Sequence, residues 1–413
     1  MKLITFLEEA DYSETTFVWR NKEHTSRFAP AASCRFLKTD SLVVFLTEDA
    51  REKDYPAFQA ALPPDTTLEP VIIPAGSDPD ELLQIALAVN DSVERGEEIV
   101  FDITHGPLSF PLIGLMVAIF MRISRDVSLK AILYGAYGID RGVPTGKTPI
   151  FDLGPMLSWI EWSAAVDRFN ETADARSLVA LVREQRRNLA RETKGDKDIL
   201  RQLGNLGKLA GVLDSISESL HMIRPHQAMR HIADLPDRIQ GAELVLQSTT
   251  TFLPYSVLFE RIAAAYAPLA HTAPSHPENI EMTLEIEREM INWYAGRELW
   301  VEAITLSREW LVNWVMVQLG LHDITHLNTR HRIESVLSAE ASDYRKAGEG
   351  RQPYNCIFLC DLPQVEDVLT LWLGLGEVRN DINHAGMRDK PGKPETLRRR
   401  IQECVQAINR LPV

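Results

Sequence analysis

The sequence predicts an α/β domain with a parallel, doubly wound sheet, followed by an all-helical region. Three observations lead to this fold class. Short apolar runs alternate with helical patterns over roughly the first 150 residues, helical period dominates from about Phe151 onward, and prolines interrupt the helical part at Ala267–Asn279. Buried strands separated by helices indicate a parallel sheet that is covered on both faces.

Five runs have the length and composition of buried strands. In chain order they are KLITFL (Lys2–Leu7), SLVVFLT (Ser41–Thr47), LEPVIIP (Leu68–Pro74), EIVFDIT (Glu98–Thr104) and LKAILYGAY (Leu129–Tyr137). Helical spacing is found between several of them, at 78–96 and 109–124. The run TTFVWRNKEHTSRF predicts an inserted hairpin with RNKE as its turn.

The chain of 413 residues is too long for one ordinary core. We place a Rossmann-like domain at 1–153, a helical connector at 154–277 and a helical C-terminal domain at 278–413. The last boundary falls in the proline-containing stretch Ala267–Asn279.

Charge and hydropathy narrow the function classes. The net charge of −14 argues against a general nucleic-acid coating protein, although a local basic segment follows at Met387–Arg400. The longest apolar stretch, Phe110–Met121, is too short to span a bilayer, and MKLITFLEEA turns acidic too early for a signal peptide. We therefore expect a cytoplasmic protein without a membrane partner. Cys356 and Cys360 lack a second Cys/His pair at zinc-site spacing, so no metal is predicted.

Two loops follow strands at the edge where doubly wound sheets bind ligands. The first is Glu8–Thr15 and the second is Asp102–Pro111, where Thr104, His105 and Gly106 turn the chain. Ser109 is expected to cap the next helix, with Pro111 in its first turn, and a helix N-terminus favours an anion. The absence of a Walker lysine and of G-x-G-x-x-G disfavours an NTP or dinucleotide enzyme.

A polar cluster, VRNDINHAGM, follows an apolar run near the end of the chain. Arg379 and His384 fit R-x4-H, with Asn380 directly after the arginine. Metal-independent RNA cleavage needs a group that moves protons near neutral pH and a cation beside the phosphorane, and these two residue types supply them. Five helical residues turn the two side chains about 140° apart, which favours a composite site in a homodimer.

The polar cluster has an ordinary alternative. It is also what a satisfied helix end contains, with Gly386 as the stop and an Arg379–Asp381 surface pair. An inactive effector that keeps the motif is a second alternative.

Several of these motifs resemble a known family. DITHG, YSETTFVW and YGAY together are similar to the CARF sensor domain of CRISPR-associated proteins, within the type III ancillary ribonucleases of CARF–HEPN architecture. RNDINHAG resembles the HEPN ribonuclease motif, and Trp293–Val315 looks like the long helix of that domain. The resemblance implies a dimeric sensor that binds cyclic oligoadenylate and a dimer, or an oligomer of dimers, that cleaves single-stranded RNA without a metal.

The resemblance also implies roles for individual residues. The ligand contacts would be Tyr12, Ser13, Glu14, Thr104, His105 and Gly106. In the helical domain, Arg379 would stabilise transition-state charge, His384 would act as acid/base or orient the phosphate, and Asn380 and Asn383 would position the motif or the RNA. The expected products carry 2′,3′-cyclic phosphate and 5′-hydroxyl ends.

One loop departs from the family pattern. Similar members usually carry a glycine-rich turn where this chain has Glu8, Glu9 and Ala10, and Pro107-Leu108 replaces a basic or polar residue. Carboxylates there would repel a phosphate; we expect Arg20, Lys22 and Arg27 to compensate. The activator's ring size stays open. So do two other functions: a silent sensor that regulates a partner, and a sensor that degrades its own cyclic activator.

Overall fold

The computed structural model describes residues 1–137, 146–192, 197–246, 255–347, 359, 362–387 and 389–413, so Cys356 and Cys360 lie outside the described residues. The chain divides into two compact units, Met1–Trp159 and Ile160–Val413. The first is α/β and the second is built from helices, which confirms the predicted fold class. The division of the helical part near residue 277 stays a prediction.

The first unit is built on one eight-stranded sheet. The strands are β1 (Lys2–Leu7), β2 (Thr15–Trp19), β3 (Lys22–Ser26), β4 (Ser41–Leu46), β5 (Thr67–Ile72), β6 (Glu98–Asp102), β7 (Ser128–Gly135) and β8 (Lys147–Asp152). They are ordered β3-β2-β8-β7-β6-β1-β4-β5. The five strands β5, β4, β1, β6 and β7 pair in parallel, as predicted, whereas β8 pairs antiparallel to β7.

Helices cover the sheet on both faces. In this unit they are α1 (Ala29–Leu37), α2 (Glu48–Lys53), α3 (Tyr55–Ala61), α4 (Pro79–Asp91) and α5 (Ser109–Ser124). Alternate residues of each strand enter different cores: Leu3 packs in one with Phe28 and Phe58, and Ile4 packs in the other with Ile85. This burial on both faces explains why the central strands are continuously apolar.

Two local predictions need correction. The hairpin forms, but its turn contains only Arg20 and Asn21, because Lys22 already pairs with Trp19; Arg20 has a left-handed φ of 55°. β8 was not predicted at all. Its sequence KTPIFD contains Pro149, and a proline within a short run argues against a strand. The Pro149 carbonyl still takes part in the sheet, since it accepts a hydrogen bond from the Ala136 N–H at 2.9 Å.

The second unit continues from a helix that starts in the first. Its helices are α6 (Gly154–Thr172), α7 (Arg176–Glu192), α8 (Lys197–His221), α9 (Pro225–Leu246), α10 (Tyr255–Tyr266), α11 (Ile280–Gly296), α12 (Trp300–Gln318), α13 (Leu327–Ala347), α14 (Val365–Asn383) and α15 (Pro394–Arg410). Short 3-10 turns occupy the ends of the proline-containing stretch, at Ala267–Leu269 and Pro277–Asn279.

One apolar core joins the helices of this unit. Trp310 and Trp314 are fully buried in it. Their indole N–H groups donate to the carbonyls of Leu284 and Pro412, at 2.8 and 2.6 Å. α14 packs against α12, α13 and α15, and these contacts fix the helix that carries the polar motif. None of the described helices is both long and apolar enough to cross a membrane.

Candidate functional site

The topology places two loops side by side at the carboxyl edge of the sheet. β1 lies between β4 and β6 and is parallel to both. After the β2–β3 hairpin at the far edge, the chain forms β4 and β5 on one side of β1, and it later crosses to β6 and β7 on the other. This reversal creates a crevice outside β1 and β6, where doubly wound proteins bind ligands. The loops that follow these strands contain all six candidate ligand residues.

Tyr12 packs beneath the first loop against two other aromatic rings. Its ring packs against Phe28, at 4.9 Å between centroids, and meets the His105 ring edge-on at 4.9 Å. Its hydroxyl donates to the Glu8 carbonyl at 2.8 Å. Burial of the ring raises the pKa of Tyr12. The neighbouring candidates Ser13 and Glu14 are exposed, so they are accessible from solvent.

Thr104 is tied to two strands. Its N–H donates to the Asp102 carboxylate at 3.1 Å, and its hydroxyl oxygen accepts from the Gly135 N–H at 2.8 Å. Asp102 is fully buried and also accepts from the Ser33 hydroxyl at 2.7 Å. Burial raises the pKa of Asp102, while the Thr104 and Ser33 hydrogen bonds oppose the shift. The Thr104 hydroxyl also bonds the Asp102 carboxylate, so its single donor is used within the unit.

His105 is buried, with 6% of its surface exposed. Its Nε2 accepts a hydrogen bond from the Ala29 N–H at 3.2 Å, at the first residue of α1. Burial lowers the pKa of His105 to about 3. The imidazole is therefore neutral near pH 7 and offers a phosphate no positive charge. Its contacts with Ala29 and Tyr12 join the start of α1 to both loops.

Gly106 completes the second loop with a φ of 105°. A Cβ at this position would lie 3.2 Å from Cβ of Phe6, so both the backbone conformation and the space favour glycine. α5 begins at Ser109, one residue earlier than a Ser109 cap requires, and Leu108 at the N-cap makes no side-chain capping bond. The predicted Ser109 cap is therefore wrong. The Phe110 N–H instead bonds the Pro107 carbonyl at 2.9 Å.

The acidic part of the first loop has a different cationic partner from those expected. Lys53 lies 3.1 Å from the Glu9 carboxylate and 3.9 Å from that of Asp11. Arg27 does reach the loop, because its Nε donates to the Tyr12 carbonyl at 2.8 Å. Lys22 instead donates to the Phe36 carbonyl.

Arg20 and Glu8 have different surroundings. The Arg20 guanidinium stacks over Trp19, at 4.6 Å from the ring centroid. Burial raises the pKa of Glu8, and the backbone N–H of Gly106 opposes the shift. The Glu8 carboxyl thus lies beside the amide of the second loop, where an anion would compete with it.

The polar motif occupies the end of α14. The helix ends at Asn383, His384 is the C-cap, and Ala385 and Gly386 have positive φ values of 51° and 71°. The backbone therefore ends as the ordinary alternative expects, with the Gly386 N–H bonded to the Asp381 carbonyl at 3.3 Å. The side chains of Arg379, His384 and Asp381 do not match that alternative.

Arg379 is half-buried, and Asn380, Asn383 and His384 are exposed. Among the described residues, the Arg379 guanidinium and the His384 imidazole make no hydrogen bond or ion pair. One chain therefore does not join these two groups directly. Both remain available to a substrate or to a second copy of the motif.

Asp381 lies inside the motif but not at the surface: only 7% of its surface is exposed. Its carboxylate accepts a hydrogen bond from the Gly392 N–H at 3.1 Å. The ordinary alternative, in which Asp381 pairs with Arg379 at the surface, is wrong on this point. Sequence reasoning missed this role, in which Asp381 holds the segment between α14 and α15 against the motif helix.

The described residues contain no group of three or more His, Cys, Asp or Glu side chains arranged to hold a metal ion. The molecule thus combines a Rossmann-like unit, whose paired loops form a candidate ligand crevice, with a helical unit that presents an unpaired arginine and histidine. These are the two candidate sites of the molecule.

Comparisons with known proteins add the following. No family model matches the chain. The CRISPR-associated protein MJ1674 of Methanocaldococcus jannaschii is 28% identical over 159 residues, which cover 37% of this chain and 23% of that protein. The match thus spans about a quarter of the relative's length. Enterococcus italicus Csm6 bound to cyclic hexa-2'-fluoro-hexa-dAMP is a solved structure with a TM-score of 0.43 and 12% identity, over 99% of this chain and 92% of that chain. The curated relative supports the resemblance to CRISPR-associated proteins.

Proposed function

We propose that this chain is a cyclic-oligonucleotide-activated, metal-independent endoribonuclease of type III CRISPR antiviral defence. It cleaves single-stranded RNA by attack of the 2′-hydroxyl at a composite site in a homodimer. The observation that carries this proposal is the end of α14, where Arg379 and His384 are unpaired within the described part of the chain. The CRISPR-associated relative and the two ligand loops support it.

The chemistry follows from the two side chains. His384 moves a proton at the 2′-oxygen or the leaving 5′-oxygen, or orients the phosphate. Arg379 stabilises the negative charge that grows on the phosphorane. Because these side chains leave one helix about 140° apart, a second motif related by twofold symmetry brings an arginine and a histidine to one phosphate more easily. Asn380 and Asn383 position the motif or the RNA.

The sheet unit is the sensor in this proposal. Cyclic oligoadenylate lies across the crevice, where Ser13 and Glu14 are exposed. The backbone amide of Gly106 serves a phosphate, and Tyr12 and His105 fix the shape of the loops. Activation requires that the ligand binds more tightly to one arrangement of the effector pair than to another.

The test is an RNA-cleavage assay with the full chain in EDTA, with and without cyclic tetra- and hexa-adenylate. Arg379→Ala and His384→Ala should each lower the stimulated rate by about a hundredfold or more, because each removes a group that acts in the transition state. Arg332→Ala, which removes an exposed arginine from α13, is the matched control. Equal cleavage by wild type and both motif variants would overturn the site assignment.

A silent sensor that regulates a partner is the competing candidate. The observation in its favour is the acidic loop, where the Glu8 carboxyl lies beside the Gly106 amide. Binding of a cyclic oligoadenylate by the wild-type chain, without RNA turnover at any concentration of ligand, would favour this regulator over the ribonuclease.

A further inference from the structure

Three helices of the helical unit bring charged side chains together near the polar motif. The Glu377 carboxylate of α14 lies 3.3 Å from the Arg345 guanidinium of α13 and 2.5 Å from the Arg400 guanidinium of α15. We call these three residues the Glu377 clamp. All three are at least one-third exposed, so these ion pairs add little to the free energy of unfolding. Their effect is to hold two guanidinium groups in fixed positions.

Glu377 lies on the face of α14 that carries Asn380 and His384. At 100° per residue, Glu377, Asn380 and His384 fall within an arc of about 60°. Glu377 and His384 are separated by about 10 Å along the helix axis. A strand of RNA that reaches His384 along this face therefore passes the clamp.

The charge of the clamp suits a phosphate. Two guanidinium groups outweigh one carboxylate, and each guanidinium has five N–H donors, of which the carboxylate uses only some. Guanidinium groups also match the geometry of phosphate oxygens. Because Glu377 already orients both side chains, a phosphate that binds there immobilises less conformational freedom.

A cavity of about 320 Å³ adjoins the clamp, and Arg400 lines it. It lies between α14 and α15 and has apolar walls that include Leu371, Cys404 and Ala407. Asp367 and Glu403 add hydrogen-bond acceptors. This volume is near the lower limit for small-molecule pockets, and a mixed lining of this kind suits a nucleobase, which has a flat apolar face and a polar edge.

We infer that the Glu377 clamp and this cavity form an RNA subsite. Arg345 and Arg400 bind a phosphate away from the cleaved bond, and the cavity accepts the base next to that phosphate. This inference rests on the proposed function, because it takes single-stranded RNA as the substrate. It assigns to Arg345, Arg400 and the cavity a part in RNA affinity and base preference.

The experiment measures equilibrium binding of a fluorescent single-stranded RNA to the full chain carrying His384→Ala, which prevents turnover. Adding Arg400→Ala or Arg345→Ala should weaken binding about tenfold, the loss of one charge-assisted contact. Each should also reduce the slope of log affinity against log salt by about 0.7. Arg399→Ala is the matched control: Arg399 neighbours Arg400 on α15, and its Nε lies 3.9 Å from Glu403 of the same helix.

The outcomes separate the inference from the proposed function. If the parent binds RNA and Arg400→Ala behaves like Arg399→Ala, the inference is overturned and the ribonuclease proposal stands. If the parent binds no RNA, the substrate assignment itself is overturned. Thermal melting of each variant, and its binding of cyclic hexa-adenylate, show whether the fold and the sensor unit are intact.

A second arm tests the cavity. A single abasic site is moved along the RNA, and one position should lose affinity because its base no longer fills the cavity. Ala407→Phe, which fills the cavity, should remove that dependence, whereas Ala407→Ser should keep it. Equal affinity of the parent for RNAs with the abasic site at every position would overturn the base-binding part of the inference.

Discussion

The two candidate sites differ in how far one chain completes them. In the candidate ligand crevice, Tyr12, Thr104 and His105 are each held by hydrogen bonds or ring contacts to other parts of the same unit. At the end of α14, the Arg379 and His384 side chains have no such partner among the described residues. The crevice is preorganised within one chain, whereas under the proposed function the motif is one half of a site.

This difference has a physical basis. A ligand crevice gains affinity when its donors are fixed before binding, since the ligand then does not have to order them. A catalytic pair that points about 140° apart on one helix gains nothing from being fixed within its own chain. In the proposed function its geometry is completed by a second chain, and a twofold axis is the simplest way to do so.

Subunit mixing tests whether two chains together complete the site of Arg379 and His384, and we expect it to give the strongest result. Arg379→Ala and His384→Ala homodimers should each be nearly inactive. Mixed and re-equilibrated in equal amounts, they should recover about a quarter of wild-type RNA cleavage. Half of the dimers are then hybrids. Each hybrid keeps one of the two arginine–histidine pairs of a wild-type dimer, with the arginine and the histidine on opposite subunits. The measurement is the cleavage rate at saturating cyclic oligoadenylate.

The control for mixing is Arg379→Ala mixed with the double variant Arg379→Ala/His384→Ala, which retains no arginine in any dimer. No recovery in either mixture, although native mass spectrometry detects hybrid dimers, would mean that each chain completes its own site. The contrast between a finished crevice and an unfinished motif would then be lost.

The second prediction concerns the effect of pH on the contact between His105 and the start of α1. The folded-state pKa of His105, about 3, lies below its ordinary value of 6.5, so the unfolded chain binds more protons between these values. The contribution of neutral His105 to the free energy of unfolding is complete above pH 6.5. It falls by about 1.4 kcal/mol for each pH unit below that value, which is a loss of about 2 kcal/mol at pH 5. Hydrogen exchange at the Ala29 amide, corrected for intrinsic rate, should show this loss of protection.

His105→Gln is the informative variant, because its side-chain carbonyl can accept the Ala29 N–H but does not titrate. Its protection should fall less between pH 7 and pH 5 than that of wild type. An identical fall in both proteins would mean that another group causes the acid sensitivity. The preorganisation of the crevice would then not depend on a neutral His105.

Much of the fold could be predicted because strand burial and helical period are local signals. The run KLITFL is apolar throughout since β1 is covered on both faces, and such runs are read directly. β8 was missed because Pro149 weakens its pattern and its pairing with β2 joins residues about 130 positions apart. Pairing of that kind leaves no local trace in a sequence.

The candidate site residues stay a prediction, and their surroundings could not be predicted from the sequence. The pattern DITHG identified the second loop, but not that His105 is buried and neutral. The acidic loop was expected to use Arg20 and Lys22, whereas Lys53 lies beside Glu9. R-x4-H identified Arg379, but nothing local showed that Asp381 would be buried against Gly392. Each miss depends on a contact between residues distant in sequence.

The smallest expected effect tests whether the finished crevice excludes its own activator. Glu8 lies beside the Gly106 amide, so its negative charge should oppose a phosphate there. Glu8→Gln should tighten the binding of cyclic hexa-adenylate about tenfold at pH 7. Because burial raises the pKa of Glu8, acidification should also neutralise it sooner than an ordinary glutamate. Calorimetric titration should then show wild-type affinity rising at lower pH and that of the variant changing less.

Glu69→Gln is the charge-matched control for this experiment, since Glu69 is exposed on the edge strand β5 and the two changes alter net charge equally. If both variants tighten binding to the same extent, the effect is one of net charge and Glu8 has no local part. If Glu8→Gln weakens binding instead, the carboxylate accepts hydrogen bonds from the activator. The acidic loop would then recognise a donor group of the ligand, such as a ribose hydroxyl or a base amine, and the crevice would be built for that contact and not for a phosphate.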